Sequence, residues 1–77
     1  MNYPRLFRRI GELLGLLQSS LKEGETLSVS YDEERKFAVY TKSSDRLHYY
    51  GVPSNEVAEV VNLRILANEI IQQWNKM

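Results

Sequence analysis

His48 is the only imidazole in the chain, so acid–base chemistry near neutral pH would have to centre on it. Nucleophilic catalysis needs a hydroxyl or thiol beside such a base and a third group to orient the ring. Ser28 and Ser30 supply hydroxyls that strand geometry could bring to the same face, and Asp32 or Asp45 could orient the imidazole. No spacing ties these groups together, and a lone strand histidine ordinarily packs or faces water, so no catalytic residue is assigned. Asp32-Glu33-Glu34 offers carboxylates to a hard cation, but it lacks the sharp-turn glycine and the length of an EF-hand loop and reads as a solvated turn. There is no phosphate-cradling glycine loop and no HExxH pattern. Without Cys, thiolate metal sites and disulfides are excluded; no metal and no cofactor is expected.

Binding chemistry has more support. Tyr40, Arg46, His48 and Tyr50 fall on alternate positions of two neighbouring apolar–polar segments, which places them together on one face of a sheet. Tyr rings beside cationic groups suit protein interfaces, where Tyr and Arg anchor well. They also suit stacking platforms for single-stranded nucleic acid or nucleotides. Arg5, Arg8 and Arg9 could add phosphate contacts, although Glu12 beside them favours a solvated helix face.

Three strands and two helices are needed to hold that face. Leu6, Ile10, Leu13, Leu14, Leu17 and Leu21 recur at helical spacing and predict a helix from about Pro4 to Lys22, ended by Gly24. Gly11 and Gly15 interrupt it, either as points of close backbone approach or as simple weak spots. Period-two alternation predicts strands over Thr26–Tyr31, Lys36–Lys42 and Arg46–Tyr50, joined by short polar turns into an antiparallel meander. Leu27, Val29, Phe37, Val39, Leu47 and Tyr49 are expected to face the helices. Ser28, Ser30, Ala38, Tyr40, Lys42, Arg46, His48 and Tyr50 would then line the open face. Pro53 is taken to stop the ladder, with Ser54 capping a second helix. Val57, Val60 and Val61 define one apolar direction of that helix and Leu63, Leu66, Ile70 and Trp74 another. Either the helix breaks near Asn62, or one long helix packs first on its own sheet and then on a partner. The partner option makes Leu63, Leu66, Ile70 and Trp74 an interface and implies a homodimer.

The expectation is an α+β fold in a single small domain over residues 1–77, α-β-β-β-α, with a three-stranded antiparallel meander covered by two helices. At 77 residues the core is marginal. Ten basic and ten acidic residues cancel, which argues against wholesale nucleic-acid wrapping and permits self-association. Arginines ahead of Leu13-Leu14-Gly15-Leu16-Leu17 imitate a signal peptide, but Glu12 interrupts the run, and an amphipathic helix explains it better. No segment reaches the ~20 apolar residues of a membrane span. A cytoplasmic, non-enzymatic binding or protein-interaction module is therefore expected, most simply a small homodimeric accessory protein. An RNA, single-stranded nucleic-acid or nucleotide binder using the same face is the alternative.

Tyr31-Asp32, Phe37-Ala38-Val39-Tyr40 and Tyr49-Tyr50-Gly51-Val52-Pro53, followed by a helix carrying Val57, resemble the KTSC domain. That small module occurs alone in bacterial and phage proteins and at the C-terminus of some lysyl-tRNA synthetases. The resemblance covers between a third and a half of the chain. Leu47-His48-Tyr49 stands where that family has a Tyr-x-Tyr pair, and its small-residue and Gly-aromatic closing segment is replaced by Leu63 to Trp74. The first helix has no counterpart there. The resemblance implies a small β-meander with helical cover and an RNA-binding role.

Overall fold

Asn2 starts the first helix: its side-chain carbonyl accepts the Arg5 N–H at 3.0 Å, and Pro4 occupies the first turn, where no N–H is needed. The computed structural model describes residues 2–77. Helix α1 spans Tyr3–Gln18 and buries Leu6, Ile10, Leu13 and Leu17. It ends four residues before the expected Lys22. The hydroxyls of Ser19 and Ser20 donate back to the Leu16 and Leu17 carbonyls at 2.8 and 2.7 Å and take the acceptors of the last turn. Gly24, with φ +85°, serves the turn into the sheet rather than a helix cap.

A Cβ built on Gly11 or Gly15 would meet nothing within 4 Å, so neither glycine serves a close approach within the chain. At Gly15 only the entropic cost of glycine remains. Gly15→Ala is expected to stabilise by about 0.5–1 kcal/mol, seen as a melting temperature raised by about 2–8 °C. An unchanged or lower melting temperature would contradict this.

Strands β1 (Thr26–Asp32), β2 (Phe37–Ser43) and β3 (Leu47–Pro53) form one antiparallel meander in the order β1-β2-β3. The third strand runs three residues beyond its expected end, and Pro53 pairs opposite Phe37. Proline is tolerated there because it lies at the end of an edge strand, where no further ladder donor is required. Ser54 is the first residue of helix α2 (Ser54–Glu59) rather than its cap; its N–H donates to the Lys36 carbonyl at 2.8 Å. The chain breaks at residues 60–62. Helix α3 (Leu63–Asn75) restarts on Asn62, whose side chain accepts the Arg64 N–H at 2.9 Å. The rotated apolar stripe thus has the first of its two explanations, and among the described residues the cover consists of three helices, not two. No helix among the described residues is long and apolar enough to cross a membrane.

The core lies between the helices and one sheet face. Leu6, Leu13 and Leu17 from α1 meet Ala38, Tyr40 and Val52 from the sheet, Val57 from α2, and Ile70 and Trp74 from α3.

Candidate interaction surface

Sheet parity decides which side chains another molecule can reach. In β1 the odd-numbered residues Leu27, Val29 and Tyr31 turn toward the helices, as expected. Glu33 to Lys36 form a four-residue turn, with Lys36 at φ 61°, so Asp32 pairs with Phe37, and Val29 with Tyr40. Directly paired residues share a face. An odd position in β1 therefore aligns with an even position in β2, and the inner face carries Ala38, Tyr40 and Lys42. Between β2 and β3 the pairs are Tyr40 with Tyr50 and Lys42 with His48, so β3 also turns its even positions inward.

This corrects the expected binding set. Tyr40 is fully buried, and its hydroxyl donates to the Ile10 carbonyl of α1 at 2.9 Å. Burial drives its phenol pKa well above the ordinary range. Tyr50 is half-buried, and its hydroxyl donates to Glu69 Oε1 at 3.2 Å. Its pKa is raised first by burial and then by that carboxylate. His48 also lies on the inner side, its Nδ1 buried without a partner. Ser28 and Ser30 are exposed on the opposite face, so strand geometry does not bring a serine to His48. Arg46 alone of the four is exposed, at the β2–β3 turn, and it donates to the Met77 carbonyl at 3.2 Å.

The expected interface set is corrected too. Leu63, Leu66, Ile70 and Trp74 all belong to the chain's own core, and Trp74 is only 1% exposed. Its indole N–H donates to the Tyr40 carbonyl at 3.2 Å. Lys42 lies 5.6 Å from the ring centroid and 3.5 Å from Glu25. Glu25 is held below the usual carboxylate range, first by the Lys22 N–H and then by the Lys42 charge.

The arginines of α1 have structural duties. Arg9 Nε donates to the Val57 carbonyl at 2.6 Å, and its Nη2 donates to the Val60 carbonyl. Arg5 Nε reaches the Ala58 carbonyl at 3.2 Å. Together they close the C-terminal end of α2, whose last carbonyls have no intrahelical donor. Arg8 pairs with Glu12 on the solvent side.

What remains accessible is a face that parity misassigned. Its cross-strand rows are Asp32, Phe37 and Pro53; Ser30, Val39 and Gly51; Ser28, Thr41 and Tyr49; and Thr26, Ser43 and Leu47. Phe37 is 36% exposed, Tyr49 59% and Leu47 63%. The four rows contain one charged residue, Asp32, at a corner of the face, where its carboxylate accepts the Glu34 and Arg35 N–H groups of its own turn.

This surface, low in charge, continues round the β1 edge onto α1. Phe7, 48% exposed, meets Tyr31 edge-on at 5.4 Å and stacks on Tyr3 at 5.7 Å. Gly11 and Leu14 follow Phe7 on the same flank of the helix at four- and seven-residue spacing. A depression of about 390 Å³ on the opposite flank is lined by Arg9, Glu12, Leu16 and Arg64 among others, without a nucleophile set beside a base. Among the described residues no three His, Cys, Asp or Glu side chains converge in metal-binding geometry.

Comparison with known proteins finds no matching family model, no matching curated protein and no matching solved structure.

Proposed function

We propose that the chain is a non-enzymatic protein-interaction module that acts by occupancy, as a small homodimer. One observation carries this: a surface over the outer sheet face, the β1 edge and the Phe7 flank of α1 whose sheet face holds a single charged residue, Asp32 at one corner, in a chain with twenty charged residues. Depletion of charge with retention of aromatic groups is the compositional mark of an interface core. A surface this low in charge is also complementary to itself, since a two-fold contact sets few like charges against each other. A nucleic-acid strand fits less well, because stacking rings need cations beside them and the cross-strand rows of the outer face supply none.

Sedimentation equilibrium from about 1 to about 500 µM protein tests this. The expected result is a monomer–dimer equilibrium that hardly changes as salt rises, because apolar contacts are not screened. A strictly monomeric protein, or association that collapses with salt, would overturn the proposal.

A further inference from the structure

Strand β1 is an unprotected edge. Among the described residues its only ladder neighbour is β2. Thr26–Asp32 contains no Pro and no Lys or Arg, residues that usually blunt an edge, and its one charged residue, Asp32, stands at the strand end. The opposite edge, β3, contains Gly51, ends in Pro53 and runs directly into α2.

We propose, building on self-association as the chain's mode of action, that two copies pair through β1. The strands run antiparallel about a two-fold axis at Val29, giving one continuous six-stranded sheet from two three-stranded ones. Such pairing sets Ser28 opposite Ser30 of the second copy, Leu27 opposite its Tyr31, and Thr26 opposite its Asp32. Within Thr26–Asp32 no like charges face each other, and the apolar members all lie on the helix side; just beyond the ladder Glu25, already paired with Lys42, falls opposite Glu33 of the second copy. There the Phe7 flank of α1 meets its counterpart beneath the seam. The charged residues of α1 take no part: Arg5 and Arg9 are turned to α2, and Arg8 to Glu12.

Area favours the edge over the face. Three strands about 4.8 Å apart and seven residues long make a flat face of about 330 Å². A side wall of the same length, one strand and one helix deep, projects about 400 Å² and adds a main-chain ladder. Stable interfaces bury about 800 Å² per partner, so the seam belongs with the weaker dimers, with dissociation constants in the micromolar range. The outer faces stay coplanar and open.

The test compares wild type with Ser28→Lys/Ser30→Lys and with Leu47→Asp, by sedimentation and amide hydrogen exchange. Ser28, Ser30 and Leu47 are exposed, so the monomer tolerates all three changes. Across the proposed seam the introduced ammonium groups oppose one another and weaken the dimer by about tenfold or more. Leu47→Asp leaves the dimer intact. In wild type, exchange at residues 26–32 slows as concentration rises through the dimer range, while exchange at residues 47–53 does not. A wild-type dimer lost in Leu47→Asp but kept in the lysine variant would overturn the seam and leave self-association standing. Concentration-independent exchange in β1 of a dimeric protein would do the same. A wild-type monomer at every concentration would overturn both. If the lysine variant loses its near-ultraviolet circular dichroism, the wild-type exchange result decides alone.

Discussion

Trp74→Ala is expected to remove about 3–5 kcal/mol of stability. A small domain has roughly 5 kcal/mol or little more to lose, so much of the population unfolds at room temperature. The ring is sealed between α3 and the sheet, its N–H holds the Tyr40 carbonyl, and Lys42 covers one side, so truncation empties the largest buried side chain in the core. Trp74→Phe keeps most of the volume and costs about 1–3 kcal/mol, chiefly for the lost hydrogen bond and the smaller ring. Urea unfolding followed by circular dichroism measures both. A change below about 1 kcal/mol in the alanine variant would mean that the indole is not a core residue. Dimerisation is not the readout here, because this side chain takes no part in the proposed seam.

Alkaline pH is expected to expose the second large effect. Tyr40 is uncharged in the folded core, and its pKa there is raised by burial above the value it has in the unfolded chain. For an acid raised in this direction, the stabilisation is fully present below the unfolded pKa of about 10. It is lost as pH climbs from there toward the folded pKa. Within that window the unfolded chain releases a proton that the folded one keeps, which removes about 1.4 kcal/mol per pH unit. Tyr50 shifts in the same direction and adds to the slope. Tyr40→Phe costs about 1–2 kcal/mol at neutral pH through the lost bond to Ile10, yet its stability should fall less steeply above pH 10. Parallel pH profiles for wild type and variant would show that the Tyr40 phenol is not excluded from water.

The parity error is instructive because the information needed to avoid it was present. Phe37 and Val39 are more apolar than Ala38 and Tyr40, so local hydropathy points the wrong pair inward. The turn between β1 and β2 has four residues, and a turn of even length carries an inward odd position to an inward even one. Once Leu27, Val29 and Tyr31 are placed against the helices, Tyr40 must follow them. The leucine stripe of α1 was legible because one periodic face meets one core. The break before Asn62 was legible as a rotation of the apolar face. Arg5 and Arg9 were not, since nothing local says that the carbonyl end of α2 will arrive beside α1. Trp74 failed for the same reason: whether a large ring is sealed or bare depends on how α3 docks against the sheet.

The guanidinium bonds of α1 join residues about fifty positions apart, and Tyr40 reaches Ile10 across thirty. During synthesis the leucine stripe of this helix therefore emerges long before Ile70 and Trp74 exist to cover it. Contacts of such long sequence separation form late, and the nascent segment stays greasy and uncommitted meanwhile. A chain ending before residue 63 would display an amphipathic rod and a three-stranded meander without α3 to cover them, the kind of intermediate that chaperones retain.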